Sequence, residues 1–427
     1  MASIVRDIFS VGVSKIIVII FALGTSIVTA RVLGPEKNGI ISSLLVFPSI
    51  FLSFGSLGVR QSTTYLLGQG VYSEKKIKTA ITQIWLLTSL TSVASCLILI
   101  KLLSKSNSDN LLIVLAVLPI PFVLFNTYNS GIFLGKNDIK EFNKINWIPT
   151  AVVFVLTALF LLLFSLDIKG YFIALIGGPV SISLILLFKN KFINAFSFNF
   201  DLKIIKSLLG LGMIYALALL IINLNYKFDI IMLERLSTPY ETGIYAKGAN
   251  ITEFLWQIPM LLSTIVFARS ATSKNGREFS LKVVQLLRVA FVFIGLGSVI
   301  LWLLSEYVII GLFGMEFFDS ILVLNCLIPG VILLTIYKVL NMDLAGKGKP
   351  WISIYAMTPA LVINILLNYY LIPLYGSTGA AISSSISYSF AAMIFIFVYS
   401  RTVQLSMKEI ITFTKKDFEP ILKILKR

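Results

Sequence analysis

Histidine is missing from the 427 residues, and with it go histidine-ligated zinc, Ser-His-Asp or Cys-His nucleophile systems and imidazole proton shuttles. Cysteine occurs twice, at Cys96 and Cys326, each inside an apolar stretch and neither in a Cys-x-x-Cys pair. That excludes a disulfide framework and an iron–sulfur site. Charge is also scarce: 13% of the residues are Asp, Glu, Lys or Arg against 57% hydrophobic, and mean hydropathy is +0.92. No water-soluble domain hides that much apolar surface, so the chain belongs in a bilayer. At about 36 residues for a helix and its loop, its length fits about 12 membrane crossings.

Charges are costly at bilayer depth, so charge-free runs mark the crossings. Residues 38–59, 79–100 and 145–166 hold 22 uncharged residues each, 110–135 holds 26, 170–188 holds 19 and 207–226 holds 20. The run 350–400 holds 51 and is interrupted by Pro373 to Gly379, which predicts two helices and a tight turn. Runs 16–30, 254–268, 289–305 and 320–337 reach crossing length only with a flanking charge inside the membrane. The expected crossings are 8–32, 38–60, 79–101, 110–133, 145–166, 170–188, 207–233, 243–267, 286–305, 319–342, 350–373 and 378–400. This is an all-α polytopic membrane protein of about twelve helices, with the first helix retained rather than cleaved as a signal peptide.

The net charge of +16 is a matter of topology. With the amino terminus in the cytoplasm, 26 of the 36 Lys and Arg residues fall on the cytoplasmic side and 7 on the other, Lys247 among them. This bias places both termini in the cytoplasm and leaves no footprint for nucleic acid. The remaining three, Lys15, Lys227 and Lys338, fall inside crossings. No loop is long enough for a soluble domain. The segments Asp201 to Gly212 and Leu405 to Arg427 mix lysines with apolar residues at helical spacing, which predicts helices anchored on anionic membrane lipid.

The chain also repeats itself. ARVLGPEKNGI, near the end of the first crossing, is echoed by ERLSTPYETGI near the end of the seventh. Arg31, Pro35 and Gly39 match Arg235, Pro239 and Gly243 at a constant offset of 204. Gly135-Lys136 is echoed by Gly346-Lys347, Pro149 by Pro359 and Gly170 by Gly379. Two six-helix bundles follow, expected over 1–200 and 201–427, in parallel orientation and with a substrate site between halves. Helix-terminating Pro and Gly alone would not repeat the arginine.

The stretches ARVLGPEKNG, LGVRQSTTYLLGQG and above all DIIMLERLSTPYETGIYAKGANITEF resemble the polysaccharide-transporter branch of the multidrug/oligosaccharidyl-lipid/polysaccharide exporter superfamily. Its bacterial O-antigen and capsule members are lipid-linked oligosaccharide flippases. The resemblance implies two bundles around a central cavity in the inner membrane. It implies an undecaprenyl-pyrophosphate-linked glycan as the cargo, carried to the outer leaflet by alternating access without enzymatic chemistry or a cofactor. It also implies coupling to a proton or sodium gradient and contact with other polysaccharide assembly proteins.

The intramembrane charges supply candidate site residues. Lys15 heads a seam of Ala22, Ser26 and Thr29 on one helix face, suited to a cavity wall or to a lysine snorkelling to headgroups. Lys338 has Asn341 at i+3 and the same two readings. Lys227 shares a face with Asn223 and Glu234, whereas Asp229 points about 200° away from it, so each needs a partner on another helix. Glu253, on one face with Asn250 and Gln257, falls near the expected midplane; it reads either as a coupling-ion site or as the partner of a lysine across the bundle interface. Arg60, expected to end the second crossing, is a topological anchor or a bidentate phosphate contact. Three lysines against Asp229 and Glu253 leave the interior net positive, which suits a pyrophosphate-sugar head whose bare passage through hydrocarbon is prohibitive. A multidrug cation antiporter of the same superfamily would instead favour carboxylates and aromatics. A phosphoglycosyl transferase would show clustered cytoplasmic aspartates for Mg²⁺, and a polymerase a large outer loop.

Overall fold

The structure, a computed structural model, describes residues 2–417 apart from 107, 137, 190, 191, 196, 198, 199, 274, 275 and 416. Lys274 and the tail beyond Asp417, both expected on the cytoplasmic side, lie outside the described residues. Every regular element among the described residues is helical. The order is α1 (Ala2–Gly55), α2 (Val59–Gly68), α3 (Glu74–Leu103), α4 (Asn110–Val117), α5 (Ile120–Gly135), α6 (Ile139–Asn146), α7 (Ile148–Ala158) and α8 (Asp167–Lys189), then α9 (Leu202–Leu236), α10 (Pro239–Leu255), α11 (Gln257–Thr272), α12 (Gly276–Leu303), α13 (Ser305–Phe313), α14 (Ser320–Gly346), α15 (Ile352–Val403) and α16 (Met407–Ile411). Nine helical stretches among the described residues are long and apolar enough to cross a membrane. Leucines such as Leu90 (71% exposed) and Leu163 (77% exposed) lie bare along them, as a lipid-facing surface requires. The expected twelve crossings correspond to these nine only when α1 and α15 are each counted twice and α10–α11 is added.

The chain divides into two compact units, Met1–Asn223 and Leu224–Arg427. The division falls inside α9, later than the expected boundary at residue 200. The lysine-bearing segment from Asp201 does not form a helix of its own; it is the opening of α9, whose 35 residues span about 52 Å and overrun a hydrocarbon core of about 30 Å. In the first unit α7 packs along α8, α2 along α5 and α1 against α7. In the second, α14 is central and touches α10, α11, α12 and α15. The described part of the tail opens with α16, which carries a reciprocal capping box between Ser406 and Glu409.

The repeated motif sits at helix breaks. In α1 the break is Gly34, whose φ of 68° only glycine adopts freely, followed by Pro35. At the matching place between α9 and α10 the break is Thr238, whose hydroxyl accepts from the Glu241 N–H, followed by Pro239. Arg31 and Arg235 are exposed, and Gly39 and Gly243 are buried, in register. Asn38 braces the first break by donating to the carbonyls of Thr29 (2.9 Å) and Gly34 (2.7 Å). Lys37 reaches Asp167 at the start of α8 at 2.9 Å, and its counterpart Glu241 accepts from the Ser377 backbone N–H at 2.7 Å. The same position thus ties each break to a later helix start by different chemistry.

Ser377 follows Gly376, where α15 breaks with φ 55° and ψ −131°. A Cβ there would meet the Glu241 carboxylate. Gly376→Ala is expected to lower the thermal stability of the detergent-purified protein by about 1–3 kcal/mol. Gly210→Ala, in open helical space on α9, is expected to be neutral or slightly stabilising. Equal melting temperatures for the two variants would show that the Gly376 break is not strained by a side chain.

Candidate functional site

The intramembrane charges collect in three places. In the first unit, Lys15 on α1 is half-buried and lies close enough to Arg60 to feel its charge. Arg60 does not end the second crossing: α1 stops at Gly55, Leu57 and Gly58 turn the chain with positive φ, and Arg60 opens the separate helix α2. The pair is therefore a concentration of positive charge set by two helices. Of the expected polar seam, Thr29 is buried and Ser26 half-buried, while Ala22 is exposed.

The second place joins α9, α10 and α14. Lys227 and Glu253 form an ion pair at 3.0 Å, with side chains 33% and 41% exposed. The partner of Glu253 is thus a lysine of its own unit. Lys338 on α14 is within electrostatic range of both, and its Nζ lies 4.0 Å from the centre of the Trp256 ring and 4.6 Å from that of Tyr226. Two lysines against one carboxylate leave this cluster with an excess positive charge. Lys247, which the charge pattern places in an outer loop, is instead 5% exposed on α10, with its Nζ 5.4 Å from the Phe313 ring.

The third place is built around Asp229, which is fully buried on α9 and separate from Lys227. Its carboxylate accepts from Asn364 Nδ2 at 2.9 Å, Asn368 Nδ2 at 2.7 Å, the Tyr245 hydroxyl at 2.6 Å and the Ser384 hydroxyl. No basic side chain takes part in these bonds. Asn364 and Asn368 sit one turn apart on the first arm of α15, Ser384 on its second arm and Tyr245 on α10. The Gly376 break thus brings both arms of one helix to the same carboxylate. Asn368 Oδ1 is buried and has no partner. Rotating the two amides would turn their oxygens inward and leave a set of hard oxygens around one negative charge, the donor type that alkali cations prefer. Sequence reasoning selected Asp229 and missed its four partners. Asn364 and Asn368, at i and i+4 in a charge-free run, were the signal.

A further buried carboxylate, Asp343 on α14, escaped the sequence reading altogether. It accepts from Ser280 and Tyr399 at 2.7 Å, from Lys347 at 2.8 Å and from Ser270, so α11, α12, α14 and α15 meet on one group. Lys347 also donates to the Gly276 carbonyl at 3.0 Å.

The profile of a family described as polysaccharide biosynthesis protein matches residues 4–270. An uncharacterized membrane protein of Methanocaldococcus jannaschii is 24% identical over 88% of this chain and 92% of its own. A Shigella flexneri protein provisionally described as an O-antigen transporter is 24% identical over 71% of this chain and 73% of its own. Among solved structures, the lipid II flippase MurJ in an inward closed conformation superposes with a TM-score of 0.77 at 15% identity, covering 97% of this chain and 95% of that one. A multidrug resistance MATE transporter of the MOP superfamily, inward-facing, superposes with a TM-score of 0.76 at 17% identity, covering 92% and 96%. At such identities the likeness is one of fold, that of a transporter built from two repeated helical bundles.

Proposed function

The chain belongs to the polysaccharide biosynthesis protein family, and from that premise we propose that it is a lipid-linked oligosaccharide flippase. The cargo is an undecaprenyl-pyrophosphate-linked repeat unit, carried from the cytoplasmic to the outer leaflet of a bacterial inner membrane, with both termini cytoplasmic. The observation that carries this reading is the excess of cations over carboxylates at membrane depth: Lys15 beside Arg60 in one unit, and Lys227 and Lys338 around Glu253 in the other. A pyrophosphate head cannot cross hydrocarbon bare, and surplus positive charge at membrane depth compensates for the water it loses. An organic cation would be repelled by the same surplus. The relatives described as an O-antigen transporter and a lipid II flippase support the choice of cargo class.

The driving force enters at Asp229. Its cradle combines one carboxylate with amide and hydroxyl groups and lies apart from the lysines, so a sodium ion or a proton can bind there without competing with the cargo. The half-exposed Glu253, already paired to Lys227, is the weaker candidate for that role. The test uses protein in proteoliposomes with a short-chain prenyl-pyrophosphate sugar, its transfer read by enzymatic accessibility. Lys15→Gln, Arg60→Gln, Lys227→Gln and Lys338→Gln are each expected to slow transfer about tenfold or more, with arginine at the lysine positions restoring part of it. Transfer of a lipophilic cation instead of the pyrophosphate would overturn the proposal in favour of a multidrug antiporter.

A further inference from the structure

Lys338 lies over two aromatic rings, Trp256 and Tyr226, which a third ring, Tyr388, backs. Tyr226 and Trp256 lie 5.3 Å apart between centroids, Tyr226 and Tyr388 5.8 Å, and Trp256 and Tyr388 5.9 Å. Lys338 covers the faces of two of them, at 4.0 Å from Trp256 and 4.6 Å from Tyr226. Trp256 is only 7% exposed, yet its indole N–H, which can act only as a donor, meets no acceptor. A buried donor left unpaired is costly and calls for an explanation. Tyr226 and Lys338 are half-buried, so this corner is not sealed on every side.

An ammonium group on an aromatic face is held by the ring quadrupole, a weaker attraction than that of a doubly charged anion. A pyrophosphate arriving at Lys227 and Lys338 would therefore draw Lys338 off the rings. What it uncovers is two apolar ring faces and one free N–H at their edge. That combination matches a pyranose, which offers an apolar C–H face to stack and hydroxyl or acetamido oxygens to accept a hydrogen bond. The sugar joined directly to the phosphate is the part of the cargo within reach. Resting on the reading of the cargo given above, we infer that Tyr226 and Trp256, backed by Tyr388, form a subsite for the first sugar of the head group. Lys338 occupies this subsite until the phosphate arrives.

Two probes separate this inference from the reading beneath it: farnesyl pyrophosphate, and the same pyrophosphate esterified with one N-acetylglucosamine. Binding is measured on the detergent-purified full chain. Wild type is expected to bind the glycosylated probe more tightly than the bare one. Trp256→Phe keeps a ring and removes the N–H; it is expected to weaken the glycosylated probe about tenfold and leave the bare probe within about twofold. Retained binding of the bare probe certifies that the variant is folded. Lys338→Gln is expected to weaken the bare probe and to raise the preference for the glycosylated one, because the rings are no longer blocked. If Trp256→Phe lowers both affinities equally or neither, or Lys338→Gln leaves the preference unchanged, the sugar subsite is overturned while the flippase reading stands. If wild type fails to bind farnesyl pyrophosphate at all, the reading of the cargo falls and the subsite with it.

Discussion

Asp229→Asn is expected to abolish the response of transport to an imposed ion gradient while leaving cargo binding intact. The carboxylate is fully buried and receives four hydrogen bonds from α10 and the two arms of α15, none of them from a cation. A negative charge so placed is stable only because every lone pair is engaged, and its binding of a cation or proton is the event a gradient can drive. Asparagine keeps the size and can still accept from Ser384 and Tyr245, so the fold is expected to survive. The measurable effect is the ratio of transfer with and without a sodium or proton gradient in proteoliposomes. That ratio is expected to lie well above 1 in wild type, and it should collapse to 1 in the variant. Glu253→Gln serves as the comparison: its carboxylate is paired to Lys227 and 41% exposed, and its loss is expected to alter cargo affinity rather than the ratio. A gradient response that persists in Asp229→Asn and vanishes in Glu253→Gln would exchange the two roles.

Much of this arrangement was legible in the residues themselves, for a physical reason. Charge is so costly in a bilayer that a Lys, Asp or Glu well inside an expected crossing stands out, as Lys15, Lys227, Asp229, Glu253 and Lys338 do. The helix breaks were legible as well, because Pro35 and Pro239 start helices at equivalent places. Partners were not. Helical spacing shows that Lys227 and Asp229 point apart, but only packing shows that one meets Glu253 and the other Asn364 and Asn368. Arg60 was misplaced because hydropathy does not register the turn at Leu57 and Gly58, where the chain leaves one helix and starts another. Lys247 was misplaced because a lysine close to a helix start reads as a headgroup anchor, whereas α10 carries it inward over Phe313. Asp343 was overlooked because it stands four residues from Lys347 near a helix end, a spacing usually found on a solvated surface.

For stability, Asp343 matters most. Asp343 is fully buried, and its carboxylate gathers Ser270, Ser280 and Tyr399 from three other helices and Lys347 from the end of its own. Asp343→Ala removes the acceptor from all of them and leaves the Lys347 ammonium, 18% exposed in the native pair, without its counter-charge. Breaking a buried pair in this way costs about 3–5 kcal/mol, whereas an exposed pair costs about 0–1 kcal/mol. The Lys227–Glu253 pair, a third or more exposed, belongs with the second kind. Thermal unfolding in detergent should therefore show a large drop in melting temperature for Asp343→Ala and little change for Glu253→Ala. The double variant Asp343→Leu with Lys347→Met removes both charges together, and it is expected to recover a substantial part of the loss because no orphaned cation remains. If the double variant is no more stable than Asp343→Ala, the group matters for the hydroxyls of Ser270, Ser280 and Tyr399 rather than for its ion pair. If Asp343→Ala melts with wild type, the four helices are held by their apolar packing alone.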